Sequence, residues 1–127
     1  MASISASSQD YLEAILELSQ NGHDVRSVDI AAKLKVSRAS VNRAIGVLKD
    51  AGYVSQERYS NIFLTVAGEM AAREVIKRHF ALKNFLIDVL QVCEATAEED
   101  ACKMEHHISL ETLKKLEYFM EKKGPKI

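Results

Sequence analysis

The chain has 127 residues, 47% of them hydrophobic and 28% charged, and carries a formal net charge of −1. One proline, five glycines and no tryptophan fit a mostly helical protein with room for one core and a small second module. No apolar run approaches the roughly 18 residues of a membrane span, and no basic stretch precedes an apolar one as in a signal peptide.

The near-zero total hides a division. Between positions 26 and 83, eleven Lys and Arg stand against five Asp and Glu; between 84 and 121 the balance is three against nine. The first 25 residues add four acids and no Lys or Arg. A basic middle between acidic ends is what a nucleic-acid surface joined to a cation-attracting module would show. Cys93 and Cys102 are poorly spaced for a bridge within one element, so free thiols in a cytoplasmic protein are expected.

Apolar residues at Tyr11, Leu12, Ile15, Leu16 and Leu18 predict a first helix over residues 7–18, stopped by Asn21-Gly22. Asp10 and Glu13 lie on its more polar flank, as metal donors at i, i+3 spacing or as first-turn acids favoured by the helix dipole. Residues 27–35 and 39–51 then read as two short helices around Val36-Ser37-Arg38, with anchors at Ile30, Leu34, Val41, Ile45 and Leu48. Ser37 is a natural N-cap. This is a helix-turn-helix, whose second helix enters the DNA major groove by its N-terminal residues. Ser37, Arg38 and Ser40 suit phosphate contacts, and Asn42 and Arg43 suit bidentate contacts to adenine and guanine.

Residues 53–58 and 61–65 read as a β-hairpin, which makes the unit a winged helix with Arg58, Tyr59, Ser60 and Asn61 at the tip of the wing. A long helix follows over 66–92, taking Cys93 as a continuation of its apolar series, then helices over 98–107 and 110–122. The last carries Leu110, Leu113, Leu116, Phe119 and Met120. These faces exceed what a small winged helix can cover, so a homodimer through the C-terminal helices is expected.

Six side chains have metal-binding chemistry on three predicted helices: Asp10, Glu13, His79, Cys102, Glu105 and His106. On a helix, Cys102, Glu105 and His106 at i, i+3 and i+4 share one face. Carboxylates favour Mn²⁺, whereas imidazole and thiolate shift preference toward Fe²⁺, Co²⁺, Ni²⁺ or Zn²⁺. Taken singly, His79 reads as a packed or surface histidine and Cys102 as a small buried hydrophobe. His107 points about 100° away from His106, and Glu98-Glu99-Asp100 reads as an acidic helix start.

In order along the chain, "SQDYLEAILELS", "VRSVDIAAKLKVSRASVNRAIGVLKDAGYV", "LTVAGEMAA", "KRHFAL" and "ACKMEHHIS" resemble the diphtheria toxin repressor/MntR family over roughly residues 7–122. The resemblance implies a homodimeric regulator that binds double-stranded operator DNA when loaded with Mn²⁺ or Fe²⁺, one or two ions per subunit. It matches the metal positions to Asp10, Glu13, His79, Cys102, Glu105 and His106. Asp10 and Glu13 resemble the manganese branch and Cys102 the iron branch, while Lys83 stands near where relatives often carry an acid of an ancillary site. The length matches the short form without a third domain.

The expected architecture is therefore mainly α, with a winged helix-turn-helix at residues 1–70 and an all-helical metal-binding and dimerisation domain at 71–127. No membrane partner and no organic cofactor are expected. A rival reading keeps the winged helix but makes it respond to a small molecule or to oxidation of Cys102. The chain has no H-E-x-x-H, Gly-rich phosphate loop or nucleophile elbow, so an enzyme is not expected.

Overall fold

Helix α1, Ala6–Gln20, buries Tyr11, Leu12, Ala14, Ile15 and Leu16 along one face, the stripe its apolar spacing predicts. The computed structural model describes residues 5–20, 22, 24–57 and 61–123. They divide into two units, residues 1–74 and 75–127. No helix among the described residues is long and apolar enough to cross a membrane.

In the first unit, α2 (Ser27–Leu34) and α3 (Arg38–Asp50) pack with α1 around Ile30, Val41, Ile45 and Leu48. Asp29 Oδ2 accepts from the Arg26 N–H at 3.0 Å and fixes the start of α2. Lys35 closes α2 in the left-handed region (φ 57°), and its neighbour's N–H, that of Val36, returns to the Ala31 carbonyl. Ser37 caps α3 as expected: its Oγ accepts from the Ser40 N–H at 3.0 Å. Gly52, at φ 87°, turns the chain out of α3, a backbone state that costs other residues free energy.

Strands β1 (Val54–Gln56) and β2 (Ile62–Leu64) pair antiparallel, with Val54 opposite Leu64. Val54 and Ile62 enter the core, and the Ile62 N–H donates to the Val25 carbonyl at 2.8 Å. The hairpin is shorter than predicted at its described ends. The expected tip residues Arg58, Tyr59 and Ser60 lie outside the described residues.

Helix α4, Val66–Asp88, starts against this hairpin. The Thr65 hydroxyl donates to the Gly52 carbonyl (2.6 Å) and accepts from the Gly68 N–H (3.1 Å). The helix start is thereby tied to the turn leaving α3.

In the second unit, α5 (Glu94–Met104) lays Ala97 and Ala101 against Leu82 and Leu86 of α4. Two small residues one turn apart let the helices approach closely. Phe85, Val92, Ile108 and Leu116 pack around that contact. Helix α6, Leu110–Lys123, buries Leu113 but leaves Leu110, Tyr118 and Phe119 exposed, as α4 leaves Phe80.

Three local expectations need correction. Cys93 is exposed at the N-cap of α5 instead of extending the apolar series of α4. The reason is the break after Asp88, where Gln91 adopts φ 59° and the Val92 N–H reaches back to the Leu86 carbonyl. Because α5 starts at Glu94, Glu98 lies in its second turn and is no helix-start acid. Likewise α1 has no acid in its first turn, which removes the helix-dipole explanation of Asp10 and Glu13.

Candidate metal centre and DNA-binding face

Helix α4 delivers His79 to the face that meets α5, where the ring is 6% exposed. From the C-cap of α5 comes Glu105, fully buried at 0% exposure. A carboxylate in that setting is tolerated only with a positive partner or strong hydrogen bonds. His79 Nδ1 lies 3.1 Å from Glu105 Oε1. Cys102 joins them: one donor atom from each of His79, Cys102 and Glu105 lies within 4.8 Å of the other two. Metal bonds of about 2.0–2.3 Å hold two donors of one ion no more than about 4.6 Å apart. Small side-chain movements would therefore close this set on an ion. Imidazole, carboxylate and thiolate together fit a borderline divalent transition metal.

The helix keeps this geometry up to Glu105, whose N–H still reaches the Ala101 carbonyl at 3.0 Å. The i, i+3 relation of Cys102 and Glu105 therefore holds. Cys102 is nonetheless exposed, which excludes the buried-hydrophobe reading. His106, half-buried, lies in the turn after α5, which ends at Met104 and not at His107 as the sequence pattern implied; His107 is exposed. Asp10 and Glu13 are half-buried on α1 and belong to the other unit.

Sequence reasoning missed Glu98. Its Oε2 lies 2.9 Å from His79 Nε2, and its Oε1 lies 3.0 Å from Lys83 Nζ. The signal was present, since positions 98, 102 and 105 follow the i, i+4, i+7 spacing of one helix face. Hydrogen bonds from His79 and Lys83 hold the Glu98 carboxyl below its ordinary range. Burial alone would lower the His79 pKa, but hydrogen bonds to Glu98 and Glu105 outweigh it and raise the pKa above the ordinary imidazole value.

A pH dependence follows. In the metal-free protein the raised His79 pKa adds stability that is full below the unfolded imidazole value and lost as pH rises through the folded one. Metal binding runs the other way, because the ion must displace the proton. Titration of the metal-free chain with Mn²⁺ should show affinity falling as pH drops through the raised His79 pKa, by up to about tenfold per unit. A flat profile between pH 8 and 6 would remove His79 from the donor set.

The proposed base-reading residues sit on the exposed side of α3. Arg38, Asn42 and Arg43 are exposed, and Ser40 is half-buried. The Ser27 hydroxyl donates to Asn42 Oδ1 at 3.1 Å, and the Ser37 hydroxyl donates to Ser40 Oγ at 2.9 Å. Because an amide oxygen accepts two hydrogen bonds, the Ser27 bond can orient Asn42 and still leave a lone pair and the NH₂ for a bidentate contact to adenine.

Comparison with known proteins covers both units. Residues 3–62 match the family model described as iron dependent repressor, N-terminal DNA binding domain. Residues 65–123 match iron dependent repressor, metal binding and dimerisation domain. An uncharacterized HTH-type transcriptional regulator of Methanocaldococcus jannaschii is 37% identical over 125 residues, covering 98% of this chain and all of that one. The transcriptional regulator MntR of Escherichia coli is 39% identical over 117 residues, covering 92% of this chain and 75% of that one. Among solved structures, the manganese regulator SloR superposes with a TM-score of 0.80 at 27% identity, over 94% of this chain. The chain spans only 55% of the length of SloR.

Proposed function

This chain belongs to the iron-dependent repressor family, and we propose that it is a transcriptional repressor that binds operator DNA as a homodimer when loaded with Mn²⁺ or Fe²⁺. The observation that carries the metal half is the buried meeting of His79 and Glu105 with Cys102 beside them. Those three residues, with His106 of the same unit and Asp10 and Glu13 of α1, are the proposed donors. When bound, the ion supplies the positive charge that a carboxylate-rich donor set lacks. Asp10 and Glu13 would join α1 to the residues of the second unit through shared ligation. That link would favour one placement of the DNA-binding units over others.

For DNA, Ser37, Arg38 and Ser40 would hold phosphates, and Asn42 and Arg43 would read base edges from α3. Arg58, Tyr59 and Ser60 would lie along the backbone as a wing. The exposed Phe80, Leu110, Tyr118 and Phe119 give the second unit an apolar surface that suits a second copy of the chain. Because DNA affinity depends steeply on salt, the decisive experiment holds ionic strength fixed. Operator binding by fluorescence anisotropy should tighten about 5–150-fold on adding Mn²⁺ or Fe²⁺ under reducing conditions. Equal affinity with and without either ion would defeat the switching mechanism.

A further inference from the structure

Lys83 follows His79 by one turn of α4. Its ammonium is drawn inward, the side chain being only 18% exposed, and lies 3.0 Å from Glu98 Oε1 and 3.8 Å from Glu94 Oε1. The second Glu98 oxygen meets His79 Nε2 at 2.9 Å. Two carboxylates and an imidazole nitrogen thus gather around one small region, on the side of His79 opposite Glu105. Carboxylate and imidazole are donor types that a divalent ion accepts. Here the positive charge is already present and covalently tethered.

We propose that the Lys83 ammonium is a built-in cation that holds Glu98 as the hydrogen-bond acceptor for His79 Nε2–H, and so keeps a second metal ion off that side of the ring. The inference rests on the metal reading of His79, Cys102 and Glu105. Its first physical basis is the tautomer. A neutral imidazole has one N–H, and a carboxylate at Nε2 fixes it there. The Nδ1 lone pair is then aimed at the Glu105 side, ready to ligate. The second basis is repulsion. An ion bound between Glu98 and His79 Nε2 would lie within about 5 Å of the ammonium, and charges this close and partly buried are weakly screened by salt. Glu98 and Lys83 are positioning residues in this account, and neither is a ligand.

The test uses the full chain in equilibrium dialysis against MnCl₂ at fixed pH and ionic strength, with metal content measured per chain. Lys83→Met keeps the side-chain length and removes the charge. It should bind one more Mn²⁺ per chain than the unaltered protein, while Lys83→Arg keeps the original count. Adding Glu98→Gln to Lys83→Met should abolish the extra ion. Glu98→Gln alone should leave the count unchanged but weaken binding roughly 10–100-fold, since the ring loses its charged acceptor. The Co²⁺ ligand-field spectrum of this variant should keep its coordination number. An unchanged count in Lys83→Met would overturn the proposal. So would loss of one ion in Glu98→Gln, which would make Glu98 a ligand. Should Lys83→Met not fold, Glu98→Gln decides. A failure of the metal reading looks different: the unaltered chain itself would bind no Mn²⁺.

Discussion

Replacing Glu105 by glutamine should collapse the metal-induced gain in operator affinity from about 5–150-fold to near one. Glutamine keeps the volume and can still meet His79, whose Nδ1 is 3.1 Å from Glu105 Oε1. What it loses is the negative charge, in a place with no solvent exposure to compensate. A carboxylate ligand contributes most where water is excluded, because the local dielectric is low. Above the folded His79 pKa, where the pairing with Glu105 no longer adds stability, metal-free Glu105→Gln should therefore melt close to the unaltered protein, while Mn²⁺ no longer raises its Tm or tightens its DNA binding. If the variant retained the full response, Glu105 would not be a ligand and the centre would have to be sought elsewhere.

Two glycine-to-alanine changes should move stability in opposite directions. At Gly68, in the first turns of α4, an added Cβ would run into the carbonyl oxygen of Tyr53 and approach Leu64 Cδ2 at 3.2 Å. Alanine favours a helix over glycine by about 0.8–1 kcal/mol. Overpacking costs typically about 1–3 kcal/mol, and here the obstacle is backbone that also accepts the Thr65 N–H. The clash wins, and Gly68→Ala should lose about 1–2 kcal/mol net. At Gly46, exposed in α3, nothing stands within 4 Å of the added Cβ, so only the helix term operates. Gly46→Ala should gain up to about 1 kcal/mol. For a unit of this size each kcal/mol moves Tm by about 4–8 °C, which circular dichroism resolves easily. Shifts of the same sign in both variants would contradict the packing of α4 on the hairpin.

The helical elements were legible because each leaves an amphipathic signature. Leu12, Ile15 and Leu16 mark the buried face of α1, and Val41, Ile45 and Leu48 that of α3, at spacings a helix alone satisfies. Ser37 before Arg38 announced the start of α3 for a similar local reason, since its hydroxyl serves an N–H three residues on. The break between α4 and α5 left no such mark. Val89, Leu90 and Val92 continue an apolar pattern through a turn, so Cys93, which is exposed, reads as one more position of the helix. The pattern reports burial, and a partly buried turn looks like helix to it.

For the site, local order along the chain was enough to nominate donors. Residue type and spacing singled out His79, Cys102 and Glu105, and those three do converge. Spacing within a helix says which side chains share a face, but not what lies across from that face. Only the packing of Ala97 and Ala101 against Leu82 and Leu86 sets α4 and α5 at the distance where His79 meets Glu105 on one side and Glu98 on the other. The same packing turns Lys83 from a departure in sequence into the ammonium beside Glu98. The raised pKa of His79 arises from Glu98 on one side of the ring and from Glu105, 26 positions away in the chain, on the other. Periodicity carries no information about such pairs, because it is a property of one helix and the charge balance here is a property of two.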